Sequence, residues 1–179
     1  MNKIVKAAAL ATLMFAATVA RADGLASADK TFLDKASNAG HTEIEASKLV
    51  VQKSTSAEVK TFADEMMKDH MAVGLELTTL ASSKGVTVPD MPSLTQQGKL
   101  KLLGTKKAGD FDRAYVKDIG VQAHKDTVAL FKKASTDAKD PDIKAWAAKT
   151  LPSLEHHLME AQALEKGLPK KGSTKAKAT

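Results

Sequence analysis

The chain has 179 residues, 43% of them hydrophobic and only 4% aromatic, which favours one domain of helices packed through small and aliphatic side chains over a sandwich or barrel. It has no cysteine, so disulfides, thiol catalysis and thiolate metal sites are excluded, and any metal must rest on His, Asp, Glu, Met or water. The formal charge of +6 sits at the ends, on Lys3, Lys6 and Arg21 in front and Lys170, Lys171, Lys175 and Lys177 behind; the body between them, at about −1, has no basic excess for nucleic acid.

Residues 1–22 read as a secretory signal peptide. Lys3 and Lys6 open it, an apolar run from Ala7 to Ala20 follows, and Ala20-Arg21-Ala22 supplies the cleavage step, leaving Asp23 first in the mature chain. The run is too short to cross a bilayer comfortably, and no later stretch is apolar enough to do so. These features predict an exported protein of the periplasm or cell envelope without integral membrane insertion. Residues 23–166 form the folded domain. The tail, 167–179, is Lys, Gly, Ser and Thr, and reads as disordered. Its lysines offer a weak, salt-sensitive contact to anionic envelope polymers or lipid headgroups.

The first helix starts at Ser27 or Ala28 and runs to about Lys53. Leu33, Ala36, Gly40, Glu43, Ser47 and Val50 point inward, and His41 and Glu45 outward. Ser56 or Thr55 caps a second helix reaching about Lys84, where Gly85 stops it. Its apolar stripe is Val59, Phe62, Met66, Val73, Leu77 and Leu80, interrupted by His70. Residues 86–107 hold Pro89, Pro92, Gly98 and Gly104, with a short helix capped by Ser93. That is long enough for the single crossover of a ferritin-like bundle. The third helix, about Ala108 to Thr136, collects Val116, Ile119, Gly120, Ala123, His124, Thr127, Leu130 and Phe131 on its inner face. The fourth, from Pro141 to about Lys166, buries Ile143, Ala147, Leu154, His157 and Ala161, and Pro152 should kink it. The predicted fold is an all-α, ferritin-like four-helix bundle.

Placed at about 100° per residue, Glu43, His70, His124 and His157 all face inward, one from each helix, and the members of each pair differ in height by only about 5 Å. Asp69 stands at the edge of the second helix's stripe. One carboxylate and three imidazoles suit zinc, copper or iron. The same four residues also suit a metal-free polar network, and this is the primary expectation from the residues: a structural, stress-related or interaction module. The di-iron Glu-x-x-His pattern is missing, since Met67 precedes His70 by three and Leu154 precedes His157. Ligand atoms converging to about 3–4 Å favour a cage around one ion, and separations beyond about 8 Å leave scattered contacts. Asp112, Arg113 and Tyr115 open the third helix as bracing or supporting residues. No catalytic triad or phosphate loop is present, so no catalytic residue is assigned.

The segments NAGHTEIEASKL, VKTFADEMMKDH, FDRAYVKDIGVQAH and KTLPSLEHHL, in that order, resemble the exported bacterial domains known as domain of unknown function 4142. These are grouped with the ferritin-like superfamily and often labelled predicted outer-membrane proteins. The resemblance covers about Asp29 to Lys166 and rests on Glu43, Asp69, His70, Asp112, Arg113, Tyr115, His124 and the Leu151-Pro152 step. It implies a bundle in the periplasm or at the envelope and no particular activity. An integral outer-membrane protein would need a β-barrel pattern that this chain lacks.

Overall fold

The computed structural model describes residues 24–169. The leader at 1–22 and the four tail lysines lie outside the described residues. Four long rods form the bundle: α1 (Ser27–Lys53), α2 (Ala57–Ser83), a composite third rod and α6 (Pro141–Gly167). The third rod joins α4 (Ala108–Ala114), a π-helical stretch (Tyr115–Ala123) and α5 (His124–Asp137). Between α2 and the third rod lies the short crossover helix α3 (Leu94–Gly104). The fold is an all-α four-helix bundle, with no strand among the described residues.

Local chemistry fixes the ends. The Ser56 hydroxyl accepts from the Val59 amide to start α2, and Gly85, at φ 70°, takes the left-handed turn that ends it. Asp140 caps α6 by accepting from Asp142 and Ile143, with Pro141 in the first turn. No side chain caps α1. Instead buried Asp29 accepts from the Lys139 amide (3.0 Å) and the Asp140 amide (2.7 Å), tying the start of α1 to the turn before α6. Lys84 pairs with Asp140 at 2.8 Å and also with Asp142 at that same end. The crossover carries the chain back to the opposite end, where the Lys53 ammonium lies 5.8 Å from the Phe111 ring centre. The third rod therefore runs in the same direction as α2, the ferritin-like order of directions.

The crossover covers part of α1. The Ser37 hydroxyl donates to the Pro89 carbonyl at 2.6 Å, and Thr42 and Ala46 are buried. His41, expected on the open face, is half-buried for this reason. The third rod also departs from a plain α-helix. Through the π-helical stretch its buried residues are Tyr115, Val116, Gly120 and Val121, so five-residue steps replace steps of three and four. Ile119, Ala123 and Leu130, expected inside, are only half-buried, and Val121 and Val128 take their places. α6 continues through Pro152 as one helix.

Two apolar regions fill the core. Phe32, Phe131 and Trp146 anchor one, and Phe62, Phe111 and Tyr115 the other. On each rod one ionisable residue falls between the two regions: Glu43 between Ala36 and Ala46, His70 between Met66 and Leu77, His124 between Val121 and Val128, His157 between Leu154 and Ala161. The bundle thus carries a polar layer across its middle.

Candidate metal centre

Each side chain of this layer reaches the core because the helix period puts it on an otherwise apolar stripe. Glu43 and His124 are fully shut off from solvent, His157 is 1% exposed and His70 4%. The three imidazoles stand around a common point. Their ring centres are 5.4 Å apart for His70 and His157, 5.5 Å for His70 and His124, and 5.7 Å for His124 and His157. One ring nitrogen from each lies within 4.8 Å of the others.

Each ring has an acceptor at one nitrogen. His124 Nδ1 is 3.1 Å from the Ile119 carbonyl, which can only accept, so that nitrogen carries the proton. His157 Nε2 is 3.1 Å from Asp69 Oδ2. His70 Nδ1 is 3.0 Å from Glu43 Oε2. That last contact is close, yet neither Glu43 oxygen receives a well-directed hydrogen bond. The other nitrogen of every ring, His70 Nε2, His124 Nε2 and His157 Nδ1, is buried with no hydrogen-bond partner among the described protein groups. A polar atom buried without any partner costs about 1–3 kcal/mol, so these three nitrogens call for a partner from outside the protein chain.

Glu43 stands slightly apart. Its oxygens lie 3.0 Å from His70 Nδ1 and 3.7 Å from His124 Nδ1, against ring nitrogens that face acceptors. The converging group of three does not include it. The geometry puts Glu43 behind the rings, where it can hold His70 in position. Burial raises its carboxyl to about 8, with the His157 ring drawing it back down. His70 is pushed well below the usual imidazole range, first by burial and then by the rings of His124 and His157. His124 is lowered by burial, with the Ile119 carbonyl opposing. His70 and His124 therefore favour the neutral ring, the form that binds metal.

The other expected residues divide. Asp69 joins the layer through His157. Tyr115 lies one level away, its hydroxyl 2.8 Å from Ser47 Oγ and its phenol held well above the usual range by burial. Asp112 and Arg113 sit at the end of the bundle. Asp112 is beside Ser54, and Arg113 pairs with Asp110 and donates to the Pro169 carbonyl at 3.4 Å. They brace that end and do not touch the layer. The Ile119 carbonyl is a participant that side-chain patterns cannot reveal, because it is main chain.

Two spaces adjoin the layer. A cavity of about 30 Å³ lies beside Glu43 and His70, enough for a single water. A cleft of about 560 Å³ between α1, α3 and the π-helical stretch reaches Glu43 and Ile119, with Lys99 and Lys106 on its walls. No described helix is long and apolar enough to cross a membrane.

The overall arrangement recurs in solved structures. A conserved hypothetical protein, rv2844, from Mycobacterium tuberculosis is 19% identical, covering 82% of this chain and 96% of its own, with a TM-score of 0.62. A DUF305 fragment from Deinococcus radiodurans is 10% identical, covering 80% of this chain and 98% of its own, with a TM-score of 0.70. At these identities the likeness shows the fold. No curated protein matches the chain. Residues 15–164 match the family described as Domain of unknown function (DUF4142), and with that match spanning most of its length, the chain belongs to this family.

Proposed function

We propose that the protein is a metal-binding four-helix bundle, with one transition-metal ion held by His70, His124 and His157. The observation that carries this is the pairing pattern of the rings. Each has one nitrogen at an acceptor and one buried nitrogen left bare. That is how metal-bound histidines are held: the far N–H meets a carboxylate or carbonyl, and the near nitrogen meets the metal. A metal-free network of polar groups would spend those nitrogens on hydroxyls or on each other.

Three imidazoles without sulfur suit zinc, copper or iron(II). Metal–nitrogen bonds near 2.0–2.1 Å need ring nitrogens about 3.4 Å apart, so rings now within 4.8 Å would draw in by about an ångström. Water in the small cavity, or Glu43 after a rotation, could fill a fourth position. The basic start, apolar run and Ala-x-Ala step at the amino terminus support a periplasmic or envelope location. The tail lysines supply at most a weak, salt-sensitive contact to anionic surfaces there.

The test is elemental analysis of protein purified from the periplasm, with melting curves in zinc, copper and iron(II). One tightly held ion per chain and a raised Tm are expected, and the tightly held ion is lost in the His70→Ala/His124→Ala variant. Absence of metal together with an unmoved Tm overturns the proposal and leaves a metal-free polar layer.

A further inference from the structure

The outer nitrogen of His157 leads toward the surface. Asp69, its partner, follows Glu65 by four residues on α2, so both carboxylates lie on one stripe of that helix. On α6, His156 and Glu160 are also four apart, with His156 Nε2 3.4 Å from Glu160 Oε1. One ligand atom from each of Glu65, His156 and Glu160 lies within 4.8 Å of the others, and the same is true of Glu65, Asp69 and His157. Glu65 therefore belongs to two groups, one open to solvent and one ending at the buried histidines. The His156 side chain is 56% exposed and that of Glu160 35%, yet Glu160 Oε2 is shut off from water and accepts no hydrogen bond.

We infer that Glu65, His156 and Glu160 form a second, solvent-facing site for a divalent cation, which passes the ion inward by way of Asp69 and His157. The inference rests on the histidine layer being a metal centre. Its chemistry differs from that centre. Two carboxylates and one imidazole, open to water, hold a partly hydrated ion, and hold it less tightly than three buried imidazoles. Glu65, Asp69 and Glu160 concentrate negative charge where an arriving cation meets the protein. Carboxylates that replace waters one at a time spread the cost of stripping an ion before it enters a dry core. The alternation of ligands across α2 and α6 provides that sequence of steps.

Co²⁺ is a suitable probe, followed by equilibrium dialysis and by the rate at which its absorption develops on mixing. The full chain should bind two ions, one tight and one weak. The His156→Ala/Glu160→Gln variant changes exposed or half-buried side chains, so it should fold normally. It should keep only the tight ion and load it about 10-fold or more slowly. The His70→Ala/His124→Ala variant should keep only the weak ion. A His156→Ala/Glu160→Gln protein that binds two ions, or fills its tight site at the original rate, overturns the inference and leaves the buried centre intact. A chain that binds one ion, lost with His156 and Glu160 and unaffected at His70 and His124, removes the buried centre and the inward transfer with it.

Discussion

The Nδ1–H of His124 donates a hydrogen bond to the carbonyl of Ile119, 3.1 Å away and five residues earlier on the same rod. The backbone N–H of His124 turns to the Val121 carbonyl instead. The π-helical stretch ending at Ala123 thus releases the rod's regular pattern just where a ring must be fixed in one tautomer, with its Nε2 left free. π-helical segments inside α-helices occur often at functional sites for this kind of reason.

The close approach of the third rod to its neighbours is measurable at Gly120. A Cβ there would lie 2.9 Å from Ala161 Cβ and 3.3 Å from the Phe62 ring, and Ala161 has no flexible end to move aside. Gly120→Ala should destabilise the protein by about 1–3 kcal/mol in urea unfolding, because overpacking outweighs the gain in helix propensity. Gly74→Ala, on an open stretch of α2, should instead stabilise by about 0.5–1 kcal/mol. Equal effects at the two glycines would show that the rods are not in this contact.

Asp29 should matter beyond its size. Removing its carboxylate by Asp29→Ala leaves the amides of Lys139 and Asp140 without their acceptor in a part-buried turn. A loss of about 1–3 kcal/mol is expected in chemical denaturation, against little change for Asp34→Ala on the same helix.

Acid and base should both weaken the metal-free protein. Glu43 titrates near 4.5 when unfolded and at about 8 when folded. From pH 4.5 upward the unfolded chain sheds that proton first, so this contribution to stability falls as pH rises, until pH 8 is passed. His70 and His124 are shifted the other way, below 6.5, so their contribution falls as pH drops below 6.5. Metal-free protein should be most stable near pH 6.5, and Glu43→Gln should flatten the alkaline side of the curve. Melting temperatures from pH 5 to 9 after chelator treatment would check it.

Asp69→Asn tests how the outer partners support the rings. Asp69 is partly exposed and lies at the rim of the layer, so the fold should survive. Zinc affinity, read by competition with a chromophoric chelator, should fall about 10- to 100-fold as His157 loses its charged acceptor. Unchanged affinity would mean that His157 is not a ligand.

Much of this is legible in the sequence. Stripes at helical spacing, a cap at Ser56 or Thr55, Gly85 as a stop and a twenty-residue crossover are local signals, and they lead to four rods in ferritin-like order. The inward placement of Glu43, His70, His124 and His157 follows from the angular period of a helix, which a regular helix keeps over many turns. His41 and part of the third rod were not legible: Val116, Gly120, His124, Thr127 and Phe131 are buried as expected, but Ile119, Ala123 and Leu130 are only half-buried. The half-burial of His41 depends on a crossover packing against α1, and the π-helical stretch turns Ile119 and Ala123 partly outward while Val121 turns in. Which groups lie among the converging nitrogens and which lie behind them was a tertiary decision too. An imidazole has two nitrogens, and the sequence places the ring without saying which one faces inward. That choice is made by acceptors brought in from elsewhere, Asp69 on α2 for His157 and Glu43 on α1 for His70, and by the main-chain carbonyl of Ile119 for His124.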